Sequence, residues 1–402
     1  MHNTPLSSRK HVVIYGNTNA GKSALFNAVL GQSAAIVSDE KGTTTDPVIK
    51  AMELIPFGPI ALVDTAGLDD ISNIGNLRVK RTVQMLSRTD LAIYAIDPDN
   101  FDIDNMNKSI ERFNHRHIPY LLVFTKIDLL NEQDINKLKQ QYPNALFISS
   151  HIKETIDSLK VEINKQLSNI SDDDDSQLAG LIPKGSNIIM CVPCDSEAPK
   201  GRLILPQVQL IRDCLDNGMT CSVARDTELS NCINNSRKID LVVTDSQAFK
   251  TVSKIVPDII PLTSFSMLLA NQRGDVNIMS DGAKAIDNLK PGDKILMAEA
   301  CTHNSTHEDI GRVKIPRLIK KRTGIDFEYE FSIAHDFPED LSPYAMVIHC
   351  GGCMITRREI QNRIAFCMEA GIPITNYGVL LAYLNGILDR CSQIFRIKSK
   401  QD

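Results

Sequence analysis

Two groups of residues in this chain have the types and spacing to do chemistry. The first opens at Gly16-Asn17-Thr18-Asn19-Ala20-Gly21-Lys22-Ser23, which fits G-x-x-x-x-G-K-[ST] between an apolar run and a helix-length segment. Glycines there let backbone N–H groups turn inwards around phosphate oxygens, and the helix N-terminus adds partial positive charge. Lys22 is expected to reach the β- and γ-phosphates, and the Ser23 hydroxyl, next to Ala24, to sit on Mg²⁺. Asp64-Thr65-Ala66-Gly67 closes a later apolar run, with Asp64 holding Mg²⁺ through water and the Gly67 N–H sensing the γ-phosphate. Between the two lies Gly42-Thr43-Thr44-Thr45-Asp46, where Thr44 would bind Mg²⁺ only when the γ-phosphate is present. The catalytic set is therefore Lys22, Thr44 and Gly67. Thr125-Lys126-Ile127-Asp128 follows another apolar run. A carboxylate there accepts from the guanine N1–H and exocyclic amino group, a donor pair that adenine lacks, so Asp128 selects GTP. Ser149 and Ser150 would line the base from the next loop.

The second group is built on sulfur. The chain has 10 cysteines and none precedes Cys191. Cys301-Thr302-His303 follows the apolar run 294–299, and His349-Cys350-Gly351-Gly352-Cys353 follows the run 344–348. Both groups sit where a strand hands over to a loop, so they can meet at the C-terminal edge of one sheet. Gly351-Gly352 permits a tight turn between two thiolates. Thr356-Arg357-Arg358-Glu359 reads as a capping box that brings a helix N-terminus and two arginines near Cys353. Residue chemistry leaves two metals open, or no metal at all. Zinc would complete a Cys/His tetrahedron, and three cysteines suit a [4Fe–4S] cluster with one iron left for another ligand. Candidates for that fourth position are His303, His349, His307 and Glu308. A ligand weaker than a fourth cysteine, Glu308 or His303 first, would be exchangeable. Cys191-Val192-Pro193-Cys194 also has the C-x-x-C spacing but does not open a helix. Cys214, Cys221, Cys232, Cys367 and Cys391 lie in helical or strand patterns and read as packing residues.

The elements that must position these residues alternate. Strand-type runs at 11–15, 60–63, 90–96, 120–124 and 145–148 are separated by helix-length segments at 22–30, 76–87, 104–116 and 132–140, with a last helix at 154–166. An acidic run at 172–175 with flanking breakers reads as a linker. Alternation restarts with strands at 188–192, 220–224, 240–244 and 259–261 and helices at 206–216, 228–235 and 247–254. The remainder holds strands at 294–299, 327–333, 344–348 and 373–375 and helices at 275–288, 310–322, 357–370 and 377–388. The fold class is α/β: a GTPase domain over 1–170 with a mostly parallel sheet, a linker over 171–186, and α/β domains over 187–265 and 266–402. Within the third, Arg312, Lys314, Arg317, Lys320, Lys321 and Arg322 make one basic stretch, read as a solvated face. His115 and His117 read as surface residues, and His335 as a loop hydrogen-bonder.

With 402 residues, 43% hydrophobic and 23% charged, the chain has the mix of a globular protein of several domains. A net charge of −5 is the wrong sign for a chain built to grip nucleic acid. No apolar run approaches a membrane span, and the polar N-terminus is not a signal peptide. These features imply a cytoplasmic, reducing setting without disulfides, and no membrane or nucleic-acid partner.

On its four ordered motifs the N-terminal part resembles the GTPases of the Era and tRNA-modification type. Asn19 stands where potassium-stimulated members carry asparagine, so K⁺ near the phosphates is implied. Leu68 stands where Ras-like enzymes carry a water-orienting glutamine, which implies slow intrinsic hydrolysis. Thr125 replaces the commoner asparagine and is expected to weaken the bracing of the loop. The whole order of a GTPase domain, a middle α/β domain with Asp195–Gln207, and a C-x-H…H-C-x-x-C module resembles the GTPase maturation factors of [FeFe]-hydrogenases. That resemblance implies a [4Fe–4S] cluster on Cys301, Cys350 and Cys353. It implies dimerisation through the middle domain as a homodimer or higher oligomer. It also implies transient carriage of a diiron subcluster, with the apo-hydrogenase and radical-SAM maturation enzymes as partners. The competing expectation is an RNA- or ribosome-associated GTPase with a C-terminal zinc module.

Overall fold

The computed structural model describes residues 5–31, 47–66, 82, 84–100, 102–170, 176–193, 203–246, 248–300, 310–352 and 354–396. Thr44, Gly67, Leu68, the acidic run 172–175, Cys194, the segment 301–309 with Cys301, His303, His307 and Glu308, and Cys353 lie outside the described residues. The chain divides into two compact units, Met1–Ser171 and Asp172–Asp402.

The first unit begins with β1 (Lys10–Tyr15), buried from His11 onward, and α1 (Lys22–Leu30). There follow β2 (Val48–Leu54), β3 (Gly58–Asp64), β4 (Leu91–Ile96), α2 (Ile103–His115), β5 (Tyr120–Phe124), α3 (Glu132–Gln141), β6 (Leu146–Phe147) and α4 (Lys153–Ser168). The sheet order is β2-β3-β1-β4-β5-β6. Only β2 runs antiparallel, pairing with β3 from Val48↔Asp64 to Leu54↔Gly58. Near-continuous apolar strands such as Leu91–Ile96, buried at every position, are what a sheet covered on both faces requires. β2 is the element the strand–helix alternation does not announce. Its residues are mostly half-exposed on an edge, so they carry little apolar signal. Asp102 and Asn131 cap α2 and α3 by accepting from the N–H groups of Asp104 and Asp134.

The second unit contains two four-stranded parallel sheets on one continuous core. The first comprises β7 (Asn187–Cys191), α5 (Leu205–Asp216), β8 (Thr220–Ala224), α6 (Leu229–Asn235), β9 (Leu241–Thr244), α7 (Phe249–Ile255) and β10 (Leu262–Ser264), in the order β10-β9-β7-β8. Next come α8 (Phe265–Arg273) and α9 (Val276–Ala285). The second sheet comprises β11 (Lys294–Glu299), α10 (Ile315–Thr323), β12 (Glu328–Ile333), β13 (Met346–His349), α11 (Arg357–Glu369) and β14 (Ile374–Asn376), in the order β12-β11-β13-β14. The described chain ends with α12 (Tyr377–Leu384) and α13 (Leu388–Arg396).

Four expectations need correction here. The last strand of the first sheet falls at Leu262–Ser264, not 259–261. α8 was not foreseen: Phe265, Met267, Leu268, Leu269 and Ala270 are all buried, so its polar side, Ser266, Asn271 and Gln272, is too narrow to mark its period. The helix expected over 377–388 is two helices, because Gly386 takes φ +72° and stops the first. The helix expected over 310–322 opens as a wider π-turn at Ile310–Lys314 before α10 begins, with Pro316 in its first turn.

The two sheets of this unit are joined by more than chain continuity. α13 returns to the first sheet, where Thr263 Oγ1 donates to Cys391 O at 2.9 Å. Arg390 donates to Ser253 O and Val256 O, each at 2.7 Å, at the end of α7. α9 meets β14 so closely that a Cβ on Gly282 would lie 1.9 Å from Ile374 O, against backbone that cannot yield.

Candidate functional site

The phosphate-loop motif is shaped by its own backbone. Gly16 takes φ +142°, and a Cβ there would fall 2.3 Å from Ala95 O on the neighbouring strand. Asn19 (φ +62°) and Gly21 (φ +78°) complete the turn into α1. Lys22 is only 7% exposed, and its Nζ donates to Gly16 O at 3.1 Å and Asn17 O at 2.6 Å, inside the curve of the loop. Asn17 also accepts from Asn105 Nδ2 at 2.6 Å, which ties the loop to α2.

The expected magnesium ligands are adjacent. Ser23 Oγ donates to Asp64 Oδ2 at 2.6 Å, bringing the start of α1 to the end of β3. Burial pushes the Asp64 carboxyl above its ordinary value, while the Ser23 hydroxyl and the Lys22 charge pull the other way. Asp64 Oδ1 is buried with no hydrogen-bond partner among the described residues. A buried, under-satisfied carboxylate oxygen beside a serine hydroxyl is the donor set that a hard oxygen-seeking cation needs, so these residues fit Mg²⁺. The ion would neutralise charge on the phosphate oxygens. Thr65 Oγ1 donates to Ile14 O at 2.7 Å and holds the end of β3 on β1.

The residues expected to bind the base converge at the ends of β5 and β6. Thr125 is buried, and its Oγ1 lies 2.9 Å from Ala20 O and 3.1 Å from Ile96 O. The threonine hydroxyl thus reaches from the end of β5 to the phosphate loop. Lys126 takes φ +55°, and its Nζ pairs with Asp97 Oδ2 at 2.6 Å. A hydrogen bond from the Ser149 hydroxyl holds the Asp128 carboxyl below its ordinary range. Ser149 is in turn clamped by Thr155, whose Oγ1 donates to Ser149 O at 2.9 Å, and Ser150 follows half-buried. Asp97, Asn105 and Thr155 escaped the motif reading. Each supports a motif residue from a distant element, and only the position of Asp97, just after β4, could have flagged one of them.

At the edge of the last sheet, β11 and β13 are parallel neighbours with Ala298 opposite His349. Cys350 N donates to Ala298 O at 2.8 Å. The Cys350 Sγ accepts from Ala300 N at 3.0 Å and Gly352 N at 3.4 Å. Two N–H donors on one sulfur favour its charged form and so suit a metal-bound thiolate. Gly352 takes φ +67°, and a Cβ there would meet Ile360 Cδ1 at 2.5 Å, so the turn after Cys350 needs glycine. Among the described residues no three His, Cys, Asp or Glu side chains gather as a metal site.

Both ring nitrogens of His349, the candidate beside Cys350, face partners within the protein. His349 is 2% exposed, its Nδ1 lies 2.7 Å from Cys350 O, and its Nε2 lies 2.8 Å from Arg363 Nη1. Arginine can only donate, so Nε2 accepts and Nδ1 carries the proton. Thr356 caps α11 by accepting from Glu359 N at 3.2 Å. The Glu359 carboxylate turns inward, accepting from Arg363 Nη2 at 2.7 Å and facing His335 Nδ1 at 3.0 Å. Cys191 is the last residue of β7, and burial pushes its thiol up to about 11, away from redox reactivity. Cys214 and Cys367 are buried likewise, each pushed up to about 12. In the basic stretch, Arg312 pairs with Glu299, Lys320 with Asp326 and Arg322 with Asp287.

A glycine-shaped phosphate loop and a serine–aspartate pair on a parallel-rich sheet, with Asp128 held ionised after β5, define a P-loop GTPase that binds GTP and Mg²⁺. Residues 11–126 match the family model described as 50S ribosome-binding GTPase. Residues 177–274 match the hydrogen maturase F dimerization domain and residues 277–394 its tetramerization domain. The chain belongs to the hydrogen maturase F (HydF) family, the hydrogenase maturation GTPases, and its two oligomerization domains support a homodimer or higher oligomer.

The GTPase unit is 40% identical over 135 residues to the tRNA modification GTPase MnmE of Treponema denticola, covering 32% of this chain and 28% of that protein. It is 34% identical over 163 residues to MnmE of Bacteroides fragilis, covering 39% and 32%. The chain thus spans roughly a third of the length of these curated relatives. A solved G domain of the T. maritima FeoB iron transporter shares 24% identity, covers 40% of this chain and 99% of its own, and superposes with a TM-score of 0.31. Among the described residues no helix is long and apolar enough to cross a membrane.

Proposed function

We propose that this GTPase is a scaffold that holds a [4Fe–4S] cluster on Cys301, Cys350 and Cys353 and delivers a diiron subcluster precursor to the apo-[FeFe]-hydrogenase. The diiron unit is cargo, received from the radical-SAM maturation enzymes. The observation that carries this reading is the approach of Ala300 N to within 3.0 Å of Cys350 Sγ. It sets the residue before Cys301 against the first cysteine of the C-x-x-C turn. The fourth iron position takes an exchangeable group, Glu308 or His303, as a carrier requires. In the GTPase unit, K⁺ bound near Asn19 stimulates slow hydrolysis, with Lys22, Thr44 and Gly67 contacting the γ-phosphate and its Mg²⁺. Hydrolysis changes partner or subunit contacts through the segments 42–46 and 64–70 rather than driving metal chemistry. A second copy adds at the open edge of the middle sheet, where β8 leaves Val223 49% exposed and α5 leaves Leu215 63% exposed.

Anaerobic reconstitution with ferrous iron and sulfide tests the central claim. A brown protein with a cubane EPR signal on reduction, lost in Cys301→Ser, Cys350→Ser and Cys353→Ser, supports it. A colourless protein that takes up one zinc ion overturns it in favour of a zinc module.

A further inference from the structure

The turn that carries Cys350 is held by two buried arginines from different helices. Arg363 of α11 and Arg273 of α8 are 4% and 6% exposed. Arg273 Nη1 donates to Gly352 O and to Ile355 O, the latter at 2.9 Å, and so grips the turn from its far side. Arg363 grips the near side indirectly. Its Nη2 donates to Ala334 O and to Glu359, both at 2.7 Å, and its Nη1 donates to His349 Nε2. The His349 Nδ1–H then donates to Cys350 O. Both ring nitrogens are thereby used within the protein. The line Arg363–His349–Cys350 is continuous and faces an anchoring carboxylate on the other side of the guanidinium.

We propose that His349 is a positioning residue that couples the Arg363 charge to the cysteine turn, and that it is not a ligand of the metal group. This rests on the cluster reading above. A [4Fe–4S] centre held by three thiolates is anionic, and hydrogen bonds and fixed charges around its sulfurs set its reduction potential. Arg363 stabilises the reduced, more negative state. Through the imidazole it also fixes the direction of the Cys350 carbonyl and hence of the turn leading to Cys353. Glu359 keeps the guanidinium in place rather than cancelling its reach, because it bonds the nitrogen turned away from His349.

The test is an EPR-monitored redox titration of the reconstituted full chain. Arg363→Met is expected to make the cluster harder to reduce by about tenfold in equilibrium constant, about 59 mV for one electron. His349→Asn keeps a donor for Cys350 O but loses the acceptor for Arg363, and is expected to shift in the same direction. His349→Gln offers an amide oxygen at the Nε2 distance and is expected to restore most of the potential. The double variant His349→Asn/Arg363→Met is expected to move no further than Arg363→Met alone, since both changes break one coupling. Far-UV dichroism checks the fold, and if Arg363→Met does not fold, the His349→Asn and His349→Gln pair, which removes no buried charge, decides. Unchanged potentials in His349→Asn, or loss in that variant of an imidazole nitrogen coupling present in the unaltered chain, overturns the inference while leaving the cluster reading intact. An unaltered chain that forms no cubane overturns both, and it does so before any variant is made.

Discussion

The nucleotide loop and the cysteine turn both place a buried cation against main-chain carbonyls, but they use it in opposite ways. In the first, Lys22 donates to the neutral oxygens of Gly16 and Asn17, while the loop's shape comes from backbone conformation at Gly16, Asn19 and Gly21 and from the Thr125 brace. The lysine is thus not needed to hold the loop, and phosphate oxygens can take the place of the carbonyls at every cycle. In the second, Gly352 also sets the turn, but Arg273 and Arg363 hold it, and Arg363 is locked to a carboxylate that is itself 4% exposed. The nucleotide loop thus keeps its cation out of the framework, whereas the cysteine turn builds its cations in.

The sharpest way to break this comparison is to remove the anchor of the second site. Glu359→Ala leaves Arg363 buried without its carboxylate, and loss of one partner of a buried pair costs about 3–5 kcal/mol. The unit formed by 172–402 is expected to show a markedly lower Tm by calorimetry, and Glu359→Gln a smaller drop. Lys22→Met is the counterpart. It should lower the kcat for GTP by about 10²–10³-fold in a phosphate-release assay, as loss of one preorganised donor does, with Tm nearly unchanged. A large loss of stability in Lys22→Met would show that the lysine belongs to the framework after all.

Asp128→Asn sharpens the comparison from the base side. The amide can accept only one of the two guanine donors and presents its own N–H to the other. GTP affinity should fall about 10²-fold, from two charge-assisted bonds of about 1.5–3 kcal/mol each lost or weakened. Xanthosine triphosphate, which offers an acceptor there, should gain affinity in the same calorimetric titration.

How far these sites can be read from sequence follows from the same contrast. The nucleotide site is written in contiguous motifs because backbone geometry makes it, and Gly16, Lys22, Asp64 and Asp128 fall where strand ends place them. What the motifs do not contain is support from elsewhere, such as Asn105 on α2 or Thr155 on α4, because those contacts depend on tertiary packing alone. The parallel strands were legible as apolar runs. The half-exposed edge strand β2 and the mostly buried α8 were not, since one lacks an apolar signal and the other has only a narrow polar side. At the cysteine turn the sequence places His349 beside Cys350, which invites a ligand reading. Only the register of β13 against α11 shows that the ring is already engaged by Arg363, fourteen residues away in a different element.

The smallest expected effect concerns Ser149 and titration. Its hydroxyl holds the Asp128 carboxyl below the ordinary carboxylate range, so the ionised form that binds guanine persists to lower pH than an unsupported aspartate would allow. A depressed folded-state value means that the benefit of the charge is present above the ordinary range and is lost only as pH falls through the depressed value. Ser149→Ala removes the donor but leaves the main chain of residue 149 clamped by Thr155. The acid limb of GTP affinity should therefore move upward, into the ordinary carboxylate range. At neutral pH, where Asp128 is ionised in either chain, affinity should fall about tenfold or less, the worth of one hydrogen bond. Calorimetric titration over the pH span in which far-UV dichroism is constant separates the two effects. An acid limb that stays in place while neutral affinity falls would mean that Ser149 orients the base rather than tuning the carboxylate.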